Sequence, residues 1–311
     1  MDARCNLIVD SCCDLPFDVV DRPGIDVIEF PYVMDGCDYV DDLYRSLSPH
    51  DFYEAMRDKK RPAPTTAQIP VATLRETFER AIQTGVPTVY LSFSSGLSGS
   101  YDAAVLVRDA LAVEYPASKL YVVDTKLASI AEGLLVLGAI EQREAGLSAE
   151  EMVEWVREAR YYVGSLFMVD DLDSLRRGGR IPASVALAGA KLDVKALLSF
   201  DLEGHLSLSG VARGRKKGIR QLAEYALARA NDTAAGVHMV VADADAPKDT
   251  QRLRETIDKQ RNGVVFLSSQ VGPVIGSHVG PGMVAVVFWG PDRREDLSVA
   301  ERIARRVKDR G

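Results

Sequence analysis

Residues 88–101 read Thr-Val-Tyr-Leu-Ser-Phe-Ser-Ser-Gly-Leu-Ser-Gly-Ser-Tyr and lead from a predicted β-strand into a predicted α-helix. The strand covers residues 88–92, which are mostly apolar, β-branched or aromatic. The helix is predicted over about residues 101–114. Between them, Gly96 and Gly99 let the backbone turn tightly, so that serine hydroxyls and backbone amides can converge on one point. The segment therefore predicts a binding loop at the carboxyl end of a strand.

Short apolar runs alternate with helical patterns along the whole chain, which indicates an α/β fold. The first half predicts a mostly parallel sheet and the second half a mixed sheet, with a hairpin turn at Glu203-Gly204. A length of 311 residues favours two domains. We place the boundary near residue 160 and predict α/β domains at residues 1–160 and 161–311. Ligands in such folds usually bind beyond the carboxyl ends of the strands.

Composition and charge exclude several classes of function. The net charge is -7, and no basic stretch interleaves with aromatic residues, which argues against nucleic acid as a partner. No window approaches the roughly 20 apolar residues of a transmembrane helix, and a cytoplasmic location is expected. The four cysteines lack zinc-ligand and C-x-x-C spacing, so reduced thiols and no metal site are expected.

Four polar segments are candidates for ligand contacts. Asp10 or Ser11, directly after the first strand, is expected to cap the following turn rather than bind a ligand. Thr65-Thr66 is predicted at a helix entry, which suits either an anion or a simple N-cap. Basic clusters at residues 176–180 and 213–217 offer either solvated charge or contacts to an anion. His278 lies in a Gly/Pro-rich segment that is predicted to be a turn between strands.

Together these segments resemble the DegV family, bacterial lipid-binding proteins that include the fatty-acid-binding subunits of fatty acid kinase. Each motif is weak alone, but all of them in family order over nearly the whole chain are specific. The motifs are Asp10-Ser11-x-x-Asp14-Leu15, Thr65-Thr66-x-Gln68, Ser94-Ser95-Gly96-Leu97-Ser98-Gly99-Ser100-Tyr101, Val123-Asp124-Thr125-Lys126, Gly178-Gly179-Arg180-Ile181, Arg213 and His278-x-Gly280-x-Gly282.

The resemblance implies two α/β domains with a lipid tunnel between them. It implies that Thr66, Ser98 and His278 hold the carboxylate of a long-chain fatty acid, with Thr65 and Gly99 in the same head-group loops. The basic loops of the C-terminal domain would face the partner, and Arg180 and Arg213 match the family arginines associated with the kinase. The kinase would phosphorylate the bound carboxylate for phospholipid metabolism. The carrier would supply no catalytic residue and need no cofactor besides its fatty acid ligand.

The sequence departs from the family pattern at three places. Ala67 replaces the usual serine before Gln68, which removes one hydroxyl expected near the head group. Proline follows one residue late, in Gln68-Ile69-Pro70, and Ala196 follows Lys195 where the family usually has proline. The last two departures concern backbone shape more than chemistry.

Two other classes of function fit part of the pattern. A serine hydrolase or acyltransferase would use Ser98, Asp170 and His278, which follow the chain order of an α/β-hydrolase triad. The missing G-x-S-x-G pattern counts against it, since Ser100 stands where glycine is required. A sugar- or nucleotide-binding module would need stacking aromatic residues, and only 7% of the chain is aromatic.

Overall fold

The computed structural model describes residues 4–181, 194–231 and 237–296. In its first half, a single 3-10 turn (Ser11–Cys13) follows the first strand. The elements there are β1 (Asn6–Asp10), α1 (Phe17–Val20), β2 (Ile25–Ile28), β3 (Pro31–Met34), β4 (Cys37–Val40), α2 (Pro49–Arg57), β5 (Thr65–Thr66), α3 (Val71–Gln83), β6 (Thr88–Ser92), α4 (Ser100–Glu114), β7 (Leu120–Asp124), α5 (Ile130–Glu144) and α6 (Ala149–Ala159).

The described elements of the second half alternate strands and helices less regularly. They are β8 (Val163–Val169), α7 (Asp173–Gly178), β9 (Val194–Phe200), β10 (Leu206–Arg213), α8 (Arg215–Arg229), β11 (Val237–Asp243), α9 (Pro247–Asp258), β12 (Val264–Gln270), α10 (Pro273–Val279) and β13 (Val284–Trp289).

The strands form one parallel sheet, one mixed sheet and one small antiparallel sheet. The parallel sheet has the order β2-β1-β6-β7, and β6 is buried at all five positions, as expected for a strand covered on both faces. The mixed sheet has the order β10-β9-β8-β13-β11-β12, in which β11 and β12 are parallel and the other neighbours antiparallel. The small sheet has the order β4-β3-β5. The predicted α/β class, with a parallel first sheet and a mixed second sheet, is confirmed.

Helix α5 lies between the two larger sheets. It contacts β1 and the 3-10 turn on one side and β8, β11 and β13 on the other. Its side chains are buried along most of its length, as its apolar sequence requires. The larger sheets draw their strands from residues 6–124 and 163–289, and the division into domains at residue 160 stays a prediction.

Several local predictions are confirmed. The Asp10 side chain caps the 3-10 turn by accepting from the Cys12 amide at 3.1 Å. The Glu203-Gly204 hairpin joins β9 to β10. The four cysteines are free thiols, with Cys37 exposed and the others buried.

Two predictions of local structure were wrong. Thr65 and Thr66 do not enter a helix but form β5, because they pair with Val33 and Tyr32 of β3, and α3 begins only at Val71. The segment that contains His278 is not a turn but the helix α10. Proline is tolerated in the first turn of a helix, where Pro273 stands, and Gly280 ends the helix with a φ of 76°.

None of the helices in the described ranges combines the length and the apolar character that a bilayer crossing requires.

Candidate functional site

A cavity of about 170 Å³ lies between the parallel and mixed sheets. Side chains from the mixed sheet form one wall, where Ser165 of β8 lies opposite Val287 of β13 and Phe167 lies opposite Ala285. Because side chains alternate along a strand, these four point to the same face. The remaining apolar lining comes from both halves of the chain: Phe30, Ala67, Phe93, Leu97, Ala128, Ile130, Ala131, Leu166, Leu175, Phe200, Leu206, Val274, Ile275, Val279 and Met283.

The polar lining of this cavity is concentrated on a few residues. Thr66, Gln68, Ser98, Arg180 and His278 line it together, and we call these five residues the polar end. Thr66, Ser98 and His278 are half-buried, whereas Gln68 and Arg180 are exposed. The polar end is therefore where the cavity meets the surface. Ser129 and Ser165 are further polar residues of the lining.

A hydrogen bond between Thr66 and His278 joins the two halves of the chain at the polar end. The Thr66 Oγ1 and His278 Nε2 atoms are 2.8 Å apart. Burial, together with the nearby charges of Arg180 and Arg177, lowers the pKa of His278 to about 4. The imidazole is therefore neutral at physiological pH and carries a proton on one nitrogen only.

The surroundings of His278 decide which nitrogen carries that proton. Its Nδ1 is buried and has no hydrogen-bond partner among the described residues. A proton on Nδ1 would leave a buried donor unpaired, so we assign the proton to Nε2, where Thr66 accepts it. The hydroxyl hydrogen of Thr66 is then free to point into the cavity.

Gly178 brings the backbone of α7 against the other side of the His278 ring. A Cβ atom at this position would lie 2.2 Å from His278 Nδ1, much closer than atoms can approach. Position 178 must therefore remain glycine for the ring to keep its place.

The loop between β6 and α4 brings Ser98 to the cavity. Its hydroxyl lies 3.1 Å from the Ser100 hydroxyl and accepts from the Ser100 amide at 3.2 Å. Gly99 is the N-cap of α4, and a Cβ there would collide with the side-chain amide of Gln68. At the start of the loop, the Ser94 hydroxyl donates to the Gly204 carbonyl at 2.8 Å, which ties this loop to the β9–β10 hairpin.

Arg180 stands where the polar end meets solvent. Its Nε donates to the Leu97 carbonyl at 3.2 Å, and its guanidinium also contacts the Gly178 carbonyl. Arg180 therefore bridges the serine-rich loop of the first half and the end of α7. Its charge stands beside the head of the cavity while its side chain stays exposed.

The other residues proposed from sequence lie elsewhere. Thr65 is exposed on the opposite face of β5 from Thr66, because successive strand residues point to opposite faces, and it does not line the cavity. Arg213 ends β10 opposite Val194, is exposed, and does not line the cavity either. Ala67 is exposed and does line the cavity. The serine hydroxyl that the family pattern has at this position is therefore missing from the polar end.

Sequence reasoning missed Gln68 as a separate candidate and missed the apolar walls altogether. Gln68 was visible only as part of a motif. Ser165 and Phe167 of β8, like Ala285 and Val287 of β13, alternate with other buried residues, so their strands show no polar face that could mark one side. The cavity-lining residues recur at every second position of each strand. Only the register between β8 and β13 shows which of the two sets of alternate residues faces the cavity.

The hydrolase triad is not assembled among the described residues. Asp170 accepts hydrogen bonds from Lys195 Nζ at 2.6 Å and from Arg215 at 3.0 Å, and not from His278. The His278 Nε2 instead pairs with Thr66. In a triad one ring nitrogen faces the nucleophile and the other is held by an acid, whereas here Nε2 pairs with Thr66 and Nδ1 has no partner among the described residues. The geometry disfavours the hydrolase interpretation.

The comparison with known proteins points to one family. Residues 4–290 match the family model of the DegV family, which is described as uncharacterised. A DegV domain-containing protein of Clostridium perfringens is 33% identical over 287 residues, which cover 91% of this chain and 97% of that protein. One of Streptomyces coelicolor is 34% identical over 289 residues, which cover 92% of this chain and 99% of the relative.

Solved structures of the family are similar to this chain over almost their full length. A DegV family protein from Thermus thermophilus, described as binding fatty acid, has a TM-score of 0.80 and 28% identity, covering 93% of this chain and 100% of its own. A Thermotoga maritima protein with a described fatty-acid-binding function has a TM-score of 0.78, 27% identity and the same coverage. DegV of Bacillus subtilis, a fatty acid binding protein, has a TM-score of 0.77, 26% identity and again the same coverage.

Two buried carboxyl groups hold the start of α10, the helix that carries His278. Asp14 accepts from the Gly272 amide at 2.9 Å, and Asp41 accepts from the Val274 amide at 3.5 Å. Burial raises the pKa of both groups, that of Asp41 to about 7, and the pKa of Asp14 is raised further by the charge of Asp41. The helix N-terminus offers partial compensation for negative charge.

The raised pKa of Asp41 predicts a pH-dependent stability. A carboxyl whose pKa is higher in the folded than in the unfolded protein stabilises the fold at low pH, and this contribution is lost as the pH rises from about 4 to about 7. We expect Asp41→Asn to reduce the loss of unfolding free energy between pH 5 and pH 8, by about 3 kcal/mol at most. Urea unfolding at pH 5 and pH 8 measures it. Asp38→Asn, an exposed carboxyl on β4, is the control. An unchanged slope in Asp41→Asn would contradict the assignment.

Proposed function

The chain belongs to the DegV family, and we propose that it binds one long-chain fatty acid in the cavity between its larger sheets, with the carboxylate at the polar end. The observation that carries this proposal is the Thr66–His278 pair at the head of a largely apolar cavity. Relatives of the same fold at 26–28% identity are described as fatty acid binding proteins. A fatty acid matches both parts of this cavity. Its alkyl chain suits the apolar wall, and its carboxylate can accept hydrogen bonds at the polar end.

The cavity supplies the apolar part of the binding energy. At roughly 10–15 Å³ for each water-sized group, a cavity of about 170 Å³ accommodates about a dozen groups the size of a methylene. Burial stabilises each methylene by about 0.8 kcal/mol, so a dozen contribute roughly 10 kcal/mol before the costs of association. An alkyl chain is the ligand that fits such a wall.

The polar end offsets the cost of placing a carboxylate there. The Thr66 and Ser98 hydroxyls can both donate, and the His278 N–H polarises the Thr66 hydroxyl by donating to its oxygen. Hydrogen bonds to a charged group contribute about 1.5–3 kcal/mol each. The Gly99 amide lies in the same loop, and the Arg180 guanidinium adds attraction at the mouth.

We further propose that the bound carboxylate is presented to a fatty acid kinase. In that reaction a carboxylate oxygen attacks the γ-phosphorus of ATP on the kinase, which yields an acyl phosphate and ADP. An arginine suits the negative charge that gathers between the two proteins, and Arg180 is exposed beside the head of the cavity. Arg213, away from the cavity, would contact the kinase surface. The carrier supplies no catalytic residue and no cofactor in this scheme, and its cytoplasmic setting stays a prediction.

Removing a hydroxyl from the polar end should weaken fatty acid binding. We expect Thr66→Val and Ser98→Ala each to lower the affinity about tenfold or more, because each loses a hydrogen bond to a charged group. Native mass spectrometry of purified protein reports the occupancy as the mass increment of one fatty acid. Thr65→Val is the matched control, since the Thr65 side chain faces away from the cavity. Full occupancy in both test variants, with thermal unfolding unchanged, would reject the assignment.

Removing the arginine at the mouth should separate binding from phosphorylation. We expect Arg180→Ala to retain its fatty acid but to lose acyl phosphate formation when mixed with a fatty acid kinase and ATP. Arg176→Ala is the control, because Arg176 lies in the preceding helix α7 but pairs with Asp173 at 3.0 Å and does not line the cavity. Normal turnover by Arg180→Ala would exclude Arg180 from the reaction. Loss of the bound fatty acid would instead assign Arg180 a role in binding.

A further inference from the structure

One hydroxyl group in the wall of the cavity takes no part in the proposed binding of the carboxylate. It belongs to Ser165 of β8, which lines the cavity and is 3% exposed. Ser129, a second serine of the lining outside the polar end, donates its hydroxyl hydrogen to the Asp14 carboxyl group. The wall around Ser165 is apolar, since Phe167 and Val287 point to the same face. A buried hydroxyl in such surroundings needs a hydrogen-bond partner.

The neighbouring Ser199 decides where the hydroxyl hydrogen of Ser165 can go. The Ser199 hydroxyl donates to the Ser165 carbonyl oxygen at 2.7 Å, which uses its one hydrogen. Ser199 can then only accept from the Ser165 hydroxyl, but the two Oγ atoms are 3.4 Å apart. Hydrogen bonds between hydroxyl groups usually span about 2.5–3.0 Å. The Ser165 Oγ has no closer partner among the described residues, so its hydrogen is free to point into the cavity.

Ser165 lies at the end of the wall that is remote from the polar end. The strand β13 follows α10, the helix of His278, and its cavity-lining residues come in the order Ala285 and then Val287. Ser165 pairs with Val287, the later of the two. On β8, Ser165 precedes the last residue, Val169, by about 13 Å at roughly 3.3 Å per residue, and α7, which contacts His278, comes only after that end. A ligand whose carboxylate is at the polar end would therefore meet Ser165 far along its chain.

A free donor at this place determines which chains the cavity favours. A saturated alkyl chain that packs against Ser165 offers no acceptor and leaves the buried hydroxyl unpaired. An oxygen atom on the chain would accept that hydrogen bond. Against a purely apolar wall the same oxygen would lose its hydrogen bonds to water without replacement, which weakens binding. Sites that hydrogen-bond a polar group of the ligand discriminate strongly against the analogue that lacks it.

We propose that this protein binds an oxygenated fatty acid, with a hydroxyl or oxo group remote from the carboxylate, and that Ser165 donates a hydrogen bond to that oxygen. The inference rests on the proposed function and adds the class of acyl chain. Thr66, Ser98 and His278 hold the carboxylate of any fatty acid, whereas Ser165 distinguishes an oxygenated chain from a saturated one.

A competition between two acids tests the inference. Protein stripped of lipid is mixed with equal amounts of octadecanoic acid and one hydroxyoctadecanoic acid, and native mass spectrometry separates the two complexes by the mass of one oxygen atom. Isomers hydroxylated beside the carboxyl group, at mid-chain and near the methyl end are tested in turn. We expect the unchanged protein to favour a mid-chain or distal isomer about tenfold, and to show no such preference for the isomer hydroxylated beside the carboxyl group.

Replacing the hydroxyl of Ser165 should abolish or reverse this preference. We expect Ser165→Ala to shift the ratio of the two complexes about tenfold toward octadecanoic acid, because the chain hydroxyl is then buried without a partner. Ser207→Ala is the matched control, since it removes a hydroxyl from β10 of the same sheet that does not line the cavity. It should keep the preference of the unchanged protein, and circular dichroism checks the fold of both variants.

The outcomes separate this inference from the proposed function. If octadecanoic acid binds but no hydroxylated isomer is preferred by the unchanged protein, the inference is overturned and fatty acid binding stands. The same holds if Ser165→Ala alters the retention of cis-octadecenoic acid and leaves the hydroxylated isomers unaffected, because Ser165 would then respond to a double bond. If the unchanged protein retains none of these acids, the proposed function itself fails.

Discussion

The hydrogen bond between Thr66 and His278 is the contact on which the polar end depends. It joins β5 of the small antiparallel sheet to α10, two elements separated by 212 residues in the chain. Because burial keeps the imidazole neutral, the bond carries no net charge into the protein. It also fixes the orientation of a hydroxyl group toward the cavity. The polar end can therefore receive an anion without first having to release a competing ion.

The ionisable groups around the cavity leave the polar end without a negative charge of its own. An anionic ligand would supply that charge. Asp14 and Asp41, which hold the start of α10, have raised pKa values and so resist ionisation. His278 has a lowered pKa and resists protonation. The cation that lines the cavity, among the described residues, is Arg180 at the mouth. The local field therefore favours an anion at the polar end, while the apolar wall selects the remainder of the molecule.

Features set by neighbouring residues could be predicted from the sequence, and features set by distant pairing could not. The strand and loop at residues 88–101, the β9–β10 hairpin and the Asp10 cap depend on local chemistry. The two-residue strand β5 exists only because β3 lies beside it, so its composition suggested a helix entry instead. In α10 the glycines and the proline suggested a turn, yet Pro273 occupies the first turn and Gly280 follows the last residue. The cavity wall required the register between β8 and β13, which no single strand reveals.

The contact between Gly178 and His278 links two motifs that lie 100 residues apart. The glycine is needed there because an imidazole occupies the space of its missing side chain, and not because of its backbone conformation. Any replacement at position 178 would displace the ring and break its bond to Thr66. Evolution can therefore vary these two positions only together. A homologue that lacks this glycine should also lack the histidine, and with it this way of holding a ligand.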